Sequence, residues 1–375
     1  MARRLLYVMD PLDRIQVDKD TTFAFMLEGE RRGHEQHACR VEDLFVEHAA
    51  PHARVRSARV RRAAVHYTLG EERTLPLAAF DVVFMRKDPP FDMAYFFATH
   101  VLGLADPAAT LVVNDPRGLR EANEKLYSLH FPDLIPESLV TADPARLKTF
   151  METLGGEMIV KPLDGCGGAG VFHLHRGDRN LNAILEVSTL NATRLVMAQR
   201  YLPAIRSDGD KRLIVLAGEP LGAIRRVPQE DETRGNIHVG GRVERAPVDA
   251  RDREICRRMA PRLAADGLYF VGLDIIGGLV TEVNVTSPTG VQEIDRLDGA
   301  CLEGRVLDWI RDVDAGSEHR DGGSAGVQRA AMGGRIDPAR HPAHDDHARG
   351  RQVGGEPSGN RERVRGRHAR PHDGD

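Results

Sequence analysis

Two apolar runs, residues 268–276 and 279–285, meet at Gly277-Gly278 and read as a β-hairpin. Inside these runs stand Asp274, Glu282 and Asn284, oxygen-bearing side chains in strands that are otherwise strongly apolar. Glu282 and Asn284 are two residues apart and so share one face of the sheet. A buried carboxylate without a partner is costly, and a cation is the economical partner for one here. Oxygen-only ligands suit Mg²⁺ bound together with nucleotide phosphates; a salt-bridged strand pair is the plainer alternative. Side-chain alternation adds a condition. Asp274 comes opposite Glu282 if the loop has an odd number of residues, as 277–279 would give, whereas a two-residue turn puts them on opposite faces.

A second constraint is the segment Val160-Lys161-Pro162-Leu163-Asp164-Gly165-Cys166-Gly167-Gly168-Ala169-Gly170-Val171, which joins predicted strands 157–160 and 171–175. Its glycines let backbone N–H groups close on phosphate oxygens, and Lys161 adds a point charge. It is not a Walker A loop, which needs Gly-Lys-Ser/Thr opening a helix, nor a dinucleotide fingerprint, because no helix follows. A tight hairpin turn would use the same glycines. Further on, Asp210-Lys211-Arg212 begins one strand of a hairpin around Gly218-Glu219, and Arg225 and Arg226 end the other. Basic strand ends beside an acidic metal site are what a phosphoryl-transferring ligase uses to neutralise charge. Arg212 and Arg226 are the stronger candidates, being surrounded by apolar residues.

The N-terminal third reads as an open α/β unit. Strands are expected at 5–9, 81–85 and 111–113, and a helix at 21–32 closed by Gly33. Asp10, Arg86, Lys87 and Asp88 follow strand ends, where ligands bind in open α/β sheets; loop solvation would place them there equally well. A helix is expected over 119–130, carrying Lys125, and another over 249–266 ending at Gly267. The polar stretch 228–241 reads as a mobile loop.

The formal net charge of −4 disfavours a polyanionic partner such as nucleic acid. Four scattered cysteines (Cys39, Cys166, Cys256, Cys301) form neither a disulfide framework nor a zinc pattern, and they fit a reducing cytoplasm. No run approaches the ~20 apolar residues of a membrane-spanning helix, so a soluble cytoplasmic protein is expected. The segment 314–375, rich in Gly, Arg, His and Asp, cannot bury enough surface to offset its chain entropy; it is expected to be disordered or to be read from another frame.

The order of these pieces resembles an ATP-grasp enzyme: Lys125, then Lys161 with its glycine loop, a linker at 199–202, a basic hairpin, and Asp…Glu-x-Asn. Longer stretches sharpen the resemblance to prokaryotic glutathione synthetases over about residues 3–310. They include Met85-Arg86-Lys87-Asp88-Pro89-Pro90-Phe91-Asp92, Asn123-Glu124-Lys125-Leu126, Glu232-Thr233-Arg234-Gly235-Asn236 and Glu282-Val283-Asn284-Val285-Thr286-Ser287-Pro288-Thr289.

The resemblance implies an N-terminal pre-ATP-grasp domain with an open parallel sheet (1–122) and a two-subdomain α+β ATP-grasp fold (123–312, central subdomain about 123–200, lid 228–241). It implies ligation of γ-glutamylcysteine to glycine with ATP, through an acylphosphate, and a homotetramer. ATP would be held by Lys125, Lys161, Gly165, Gly167, Gly168, Gln199, Tyr201, Leu202 and Asp210. Mg²⁺, or Mn²⁺ in its place, would be held by Asp274, Glu282 and Asn284. Arg212, Arg226 and Arg234 would serve catalysis, and Arg86, Asp88 and Asn236 the substrates. Another ATP-grasp ligase would keep the phosphate and metal residues and differ at 86–88 and in the lid, and both segments match here. A non-catalytic module would lack a metal ligand or a phosphate lysine. The chain departs from the family pattern at Cys166, where methionine is expected, at Arg200, where a neutral amide is expected beside adenine, and at Glu230-Asp231, which make the lid more acidic than the glycine-rich version expected.

Overall fold

The computed structural model describes residues 2–227 and 242–318. Strands β1 (Arg4–Val8), β2 (Glu35–Cys39), β3 (Leu44–Glu47), β4 (Ala50–Val60), β5 (Tyr67–Pro76), β6 (Val82–Met85) and β7 (Leu111–Val113) form the first sheet. Within it β2, β1, β6 and β7 are parallel neighbours in that order, the open sheet expected from the sequence. Strands β3, β4 and β5 extend it in antiparallel fashion beyond β2. These strands gave no clear sequence signal, because a bulge breaks the alternation of buried Ala53, Val55, Ala58 and Val60 with exposed arginines in β4, and β5 has no buried position.

A second, antiparallel sheet contains β8 (Ser138–Thr141), β9 (Glu157–Pro162), β10 (Phe172–His175) and β11 (Val196–Gln199), in the order β10-β9-β11-β8. The third contains β12 (Asp210–Leu216), β13 (Glu219–Val227), β14 (Arg242–Ala246), β15 (Phe270–Ile276) and β16 (Leu279–Asn284), in the order β14-β13-β12-β15-β16. The helices are α1 (Thr21–Arg31), α2 (Met93–Leu102), α3 (Pro116–Glu121), α4 (Pro144–Thr153), α5 (Leu181–Ser188), α6 (Ala204–Asp208), α7 (Ala250–Ala265), α8 (Val291–Asp298) and α9 (Leu302–Glu318). None of the described helices is long and apolar enough to cross a membrane.

Local chemistry sets several boundaries. The Asp20 carboxylate accepts from Phe23 N at 2.6 Å to start α1, and Asp249 and Asp252 form a reciprocal capping box on α7. The single helix expected over 119–130 does not form. Helix α3 ends at Glu121, and a 3₁₀ turn over Leu126–His130 follows. Asn123 explains the break, since its Oδ1 accepts from the backbone N of Lys125 (3.1 Å) and of Leu126 (3.0 Å). A local side-chain acceptor of this kind competes with helical hydrogen bonding. Lys125 therefore sits on a turn rather than on a helix.

Hydrophobic packing runs across the expected boundary at 122. Leu6 and Val8 of β1 belong to one core with Leu213 of β12 and Val271 of β15. Asn114 adds a polar tie: its amide donates to Phe270 O and Val285 O, both at 2.9 Å, and its Oδ1 accepts from Phe270 N at 2.7 Å. The sheet β8–β11 with α4 and α5 instead has its own core, built on Leu147, Met151, Met158, Val160, Leu185 and Val196. Helix α9 continues to Glu318, a few residues into the stretch expected to lack structure from 314; the rest of that tail lies outside the described residues, as does the expected lid 228–241 with Arg234 and Asn236.

Candidate active site

The decisive local feature is a register change in the β15–β16 hairpin. Ile276 pairs with Leu279, so the turn has two residues, Gly277 and Gly278, both at positive φ (57° and 77°). The expected three-residue loop is therefore not used. A two-residue turn alone would put Asp274 and Glu282 on opposite faces, yet they are register partners. The difference is made up by a bulge: Ile275 pairs with Val280 and Asp274 with Glu282, which leaves Thr281 as the extra residue. Its carbonyl accepts from Lys161 Nζ at 2.9 Å, and its hydroxyl donates to Asp274 O at 3.2 Å.

Around this pair the charges converge. The ammonium of Lys125 lies 3.5 Å from Glu282 Oε1, and that of Lys161, from β9 in the other sheet, lies 3.7 Å from the same oxygen. Lys125 Nζ also donates to Gly165 O at 2.7 Å, tying the turn after α3 to the glycine loop. Both lysines are almost fully buried, and burial lowers the pKa of Lys161 against the upward pull of Glu282.

Opposite them, Arg212 binds Asp274 through two nitrogens at 2.5 and 3.1 Å, and Arg226 lies 2.9 Å from Asp274 Oδ1. Arg226 also donates to Asp210. Burial alone would raise the Asp274 pKa, but Arg212 and then Arg226 outweigh it and hold the carboxyl well below the usual range. Asp210 goes the other way, pushed up to about 6 by burial, with Arg226 opposing and the neighbouring Asp274 adding to the rise.

The cleft between the two sheets is lined by Ile159, Lys161, Gly168, Gln199, Tyr201, Leu202, Asp210, Asp274, Ile276 and Glu282, among others. It brings together most residues expected to hold a nucleotide: an apolar part at Ile159, Leu202 and Ile276, and a charged end at Lys161, Asp274 and Glu282. Tyr201 is fixed from behind by His173, whose ring stacks on it at 3.9 Å between centroids. The Gln199 amide donates to Ser138 Oγ at 2.9 Å. The departure at Arg200 is absorbed by an ion pair, since its guanidinium grips both oxygens of Glu137 at 2.7 and 2.6 Å. In the glycine loop, Gly167 and Gly168 take positive φ (62° and 83°), while a Cβ at Gly165 would come within 2.6 Å of the Pro162 ring. Cys166 is exposed on this loop.

Arg86 and Asp88 do not line this cleft. Arg86 is buried over Phe25 and Phe270, donating to Thr22 Oγ1 and Pro288 O, both at 3.1 Å. Asp88 is exposed, and its backbone N–H donates to Asp10 Oδ2 at 2.9 Å. Lys211, beside Arg212, is taken up by Asp249 and Asp252 at 2.9 Å each. Sequence reasoning passed over Glu124 and Thr281. Glu124 O accepts from Val283 N at 2.9 Å, and its carboxylate accepts from Thr286 Oγ1 at 3.0 Å. Burial, then Glu282, pushes its pKa up to about 6. Its position beside Lys125 was the one available signal.

An oxygen-rich site remains for a cation. Among the described residues no group of three or more His, Cys, Asp and Glu surrounds one point. The third donor of the expected set is instead an amide, Asn284, whose Nδ2 donates to Gly272 O at 3.3 Å and whose Oδ1 has no partner among the described residues. Among the described residues Glu282 has only the two long ammonium contacts, which leaves its oxygens open to a cation. Two carboxylates and an amide completed by phosphate oxygens suit Mg²⁺.

Comparison with known proteins gives a direct answer. The model of the prokaryotic glutathione synthetase N-terminal domain matches residues 4–120, and that of the prokaryotic glutathione synthetase ATP-grasp domain matches 124–299. The chain belongs to the prokaryotic glutathione synthetase family. Among relatives within that family, the glutathione synthetase of Gloeobacter violaceus is 50% identical over 313 residues, covering 82% of this chain and 96% of its own. That of Salmonella typhimurium is 48% identical over 309 residues, covering 82% and 98%. Solved structures outside the family share the fold. The D-cycloserine synthetase DcsG has a TM-score of 0.57 at 18% identity, covering 81% of this chain and 98% of its own. The ATP-grasp ligase PsnB, complexed with minimal precursor, Mg and ADP, has a TM-score of 0.54 at 18% identity, covering 82% and 97%. The fold is ATP-grasp, and the chain is a ligase that uses ATP.

Proposed function

We propose that this ligase joins the carboxylate of γ-glutamylcysteine to the amine of glycine, converting ATP to ADP and phosphate through an acylphosphate, in the cytoplasm and as a tetramer. The observation that carries the site assignment is the convergence of Lys125 and Lys161, from two different sheets' surroundings, on Glu282 opposite Asp274. Adenine lies between Ile159, Tyr201, Leu202 and Ile276, with the phosphates at the lysine end of the cleft. There Lys125 and Lys161 exchange their contacts with Glu282 for phosphate oxygens, which holds the γ-phosphate in line with the attacking carboxylate. Arg226 and Arg212 stabilise charge on the transferring phosphoryl group and on the acyl oxygen. Their pairing with Asp274 fixes both guanidiniums before substrate arrives, so little reorganisation remains.

Glu282, Asn284 and Asp274 are the residues that would hold Mg²⁺, which, when bound, offsets phosphate charge. The lid 228–241, with Arg234 and Asn236, excludes water from the acylphosphate. Arg86 acts from behind the site, by fixing the 286–290 loop through Pro288 O.

The test is ADP release by the purified chain with MgATP, γ-glutamylcysteine and glycine, each omitted in turn, with glutathione identified by mass. ADP release that requires all of them supports the reading. Release only with another carboxylate–amine pair keeps the ATP-grasp ligase and removes the substrate assignment.

A further inference from the structure

Three consecutive residues in the turn after α3 reach out to the glycine loop and to β16. Asn123 Nδ2 donates to Leu163 O at 2.9 Å, at the start of the glycine loop. Glu124 O accepts from Val283 N at 2.9 Å, on β16. Lys125 Nζ donates to Gly165 O at 2.7 Å and lies 3.5 Å from Glu282 Oε1. The turn therefore sets the glycine loop, which joins β9 to β10, against the hairpin that carries Glu282. Of the two ties to the loop, the one through Lys125 uses a charge that phosphate also attracts. The one through Asn123 joins a neutral amide to a backbone carbonyl.

Asn123 uses both ends of its amide. Its Oδ1 accepts from the backbone N of Lys125 (3.1 Å) and of Leu126 (3.0 Å), which occupies both lone pairs and stops the helix. With the oxygen so fixed, the planar amide presents Nδ2 to Leu163 O. Beyond Leu163 the loop folds over the Pro162 ring. A Cβ at Gly165 would lie 2.6 Å from Pro162 Cγ, and one at Gly170 would lie 3.2 Å from it. Ala169 N donates to Cys166 O at 3.1 Å and Val171 N to Gly168 O at 3.3 Å, so the loop turns back on itself. Its first limb is tied to the turn at two carbonyls, Leu163 O and Gly165 O. If Lys125 moves to a phosphate oxygen, the Gly165 tie is given up and the Leu163 tie stays.

Resting on the placement of the ATP phosphates at Lys125 given above, we propose that Asn123 is a positioning residue for nucleotide binding. Its amide holds the glycine loop at Leu163 O while Lys125 passes from Gly165 O to the phosphates, so the loop keeps its backbone N–H groups on the nucleotide. Both ends of the amide are needed. Aspartate can accept from the two backbone N–H groups of the turn, but it has no N–H to donate and sets a negative charge against Leu163 O. Serine can accept in the same turn through its hydroxyl, but it is too short to reach Leu163. A residue that served only to stop the helix would be replaceable by either.

The test uses the full chain in steady-state ligation with MgATP, γ-glutamylcysteine and glycine. A second readout is alkylation of Cys166 by iodoacetamide at saturating MgATP, followed on its own peptide by mass; Cys166 is exposed on the loop and reports its position. Asn123→Asp is expected to raise the KM for ATP by about threefold or more and to speed Cys166 alkylation by a similar factor, with the melting temperature little changed. A merely structural role would lower the amount of active enzyme, and with it kcat, at an unchanged KM for ATP. Asn123→Ser should move both readouts in the same direction and serves if the aspartate variant does not fold. A wild-type value of either readout in a folded variant overturns the proposal, as does a fall in kcat at constant KM. A wild-type chain that releases no ADP in the complete mixture would instead overturn the ligase reading itself, so the two failures are distinguishable.

Discussion

Glu282 faces Asp274 across β15 and β16 because one bulged residue, Thr281, offsets a two-residue turn. The bulge moves Glu282 to the face where Lys125 and Lys161 arrive, and it turns the Thr281 carbonyl toward Lys161. Deleting Thr281 should give an unbulged hairpin in which Glu282 still pairs with Asp274, and should raise the KM for ATP by removing the carbonyl that accepts from Lys161. Glu282→Gln, which keeps the register, should lower kcat by about 10²-fold or more through lost charge at the phosphates. A deletion variant with a wild-type KM for ATP would show that the Thr281 carbonyl does not help to place Lys161.

Arg226 is buried between Asp210 and Asp274. Burial works against its charge, but the two carboxylates outweigh it and raise its pKa. Arg226→Met would leave two buried carboxylates short of a counter-charge. The expected cost is about 3–5 kcal/mol in urea unfolding, alongside a loss of activity. The double variant Arg226→Met/Asp210→Asn should recover a large part of the stability and none of the activity.

His173 stacks flat on Tyr201 and hydrogen-bonds Glu157 at 3.0 Å. A stack of this kind contributes about 0.5–1.5 kcal/mol. His173→Ala should therefore raise the KM for ATP by roughly two- to twelvefold with kcat little changed, the factor that same energy range corresponds to. A fall in kcat at constant KM would contradict a role in holding the nucleotide linker.

Glu303, at the start of α9, has its pKa raised to about 7 by burial and then by a hydrogen bond with Asp295. Its Oε2 has no hydrogen-bond partner among the described residues. The folded state thus prefers the protonated acid. Stability from this group is fully present below the unfolded pKa of about 4.5 and is lost as pH rises through 7. Glu303→Gln should stabilise the chain above pH 7, by on the order of 1 kcal/mol after allowing for partial exposure, and the gain should fade toward pH 4.5. A pH-independent difference in melting temperature would point to packing instead.

Several elements could be read directly from residue pattern. The apolar strands at 82–85, 111–113 and 270–276, the capped helix at 250–265 and the glycine loop after Lys161 each carry a signal confined to a few neighbouring residues. Strand β4 was missed because a bulge between Arg56 and Ala58 interrupts its alternation of small buried residues with arginines, and β5 because none of its residues is buried. The helix expected over 119–130 was misjudged because Asn123 turns its side chain onto its own backbone, a choice that helical spacing does not reveal.

Sequence by itself determined which side chains were available to the site, since charged and amide residues inside apolar strands announce an unmet need for partners. Tertiary structure alone decided how those needs are met. The parity of the β15–β16 hairpin depended on a bulge, because a single inserted residue reverses every side chain beyond it. Asn114, at the end of β7, ties that strand to Phe270 and Val285, and Arg86, which follows β6, is buried and donates to Pro288 O. Asn123 came to hold Leu163 O only through folding across 40 residues of chain. Such pairings lie between segments distant in the chain, and local pattern carries no record of them.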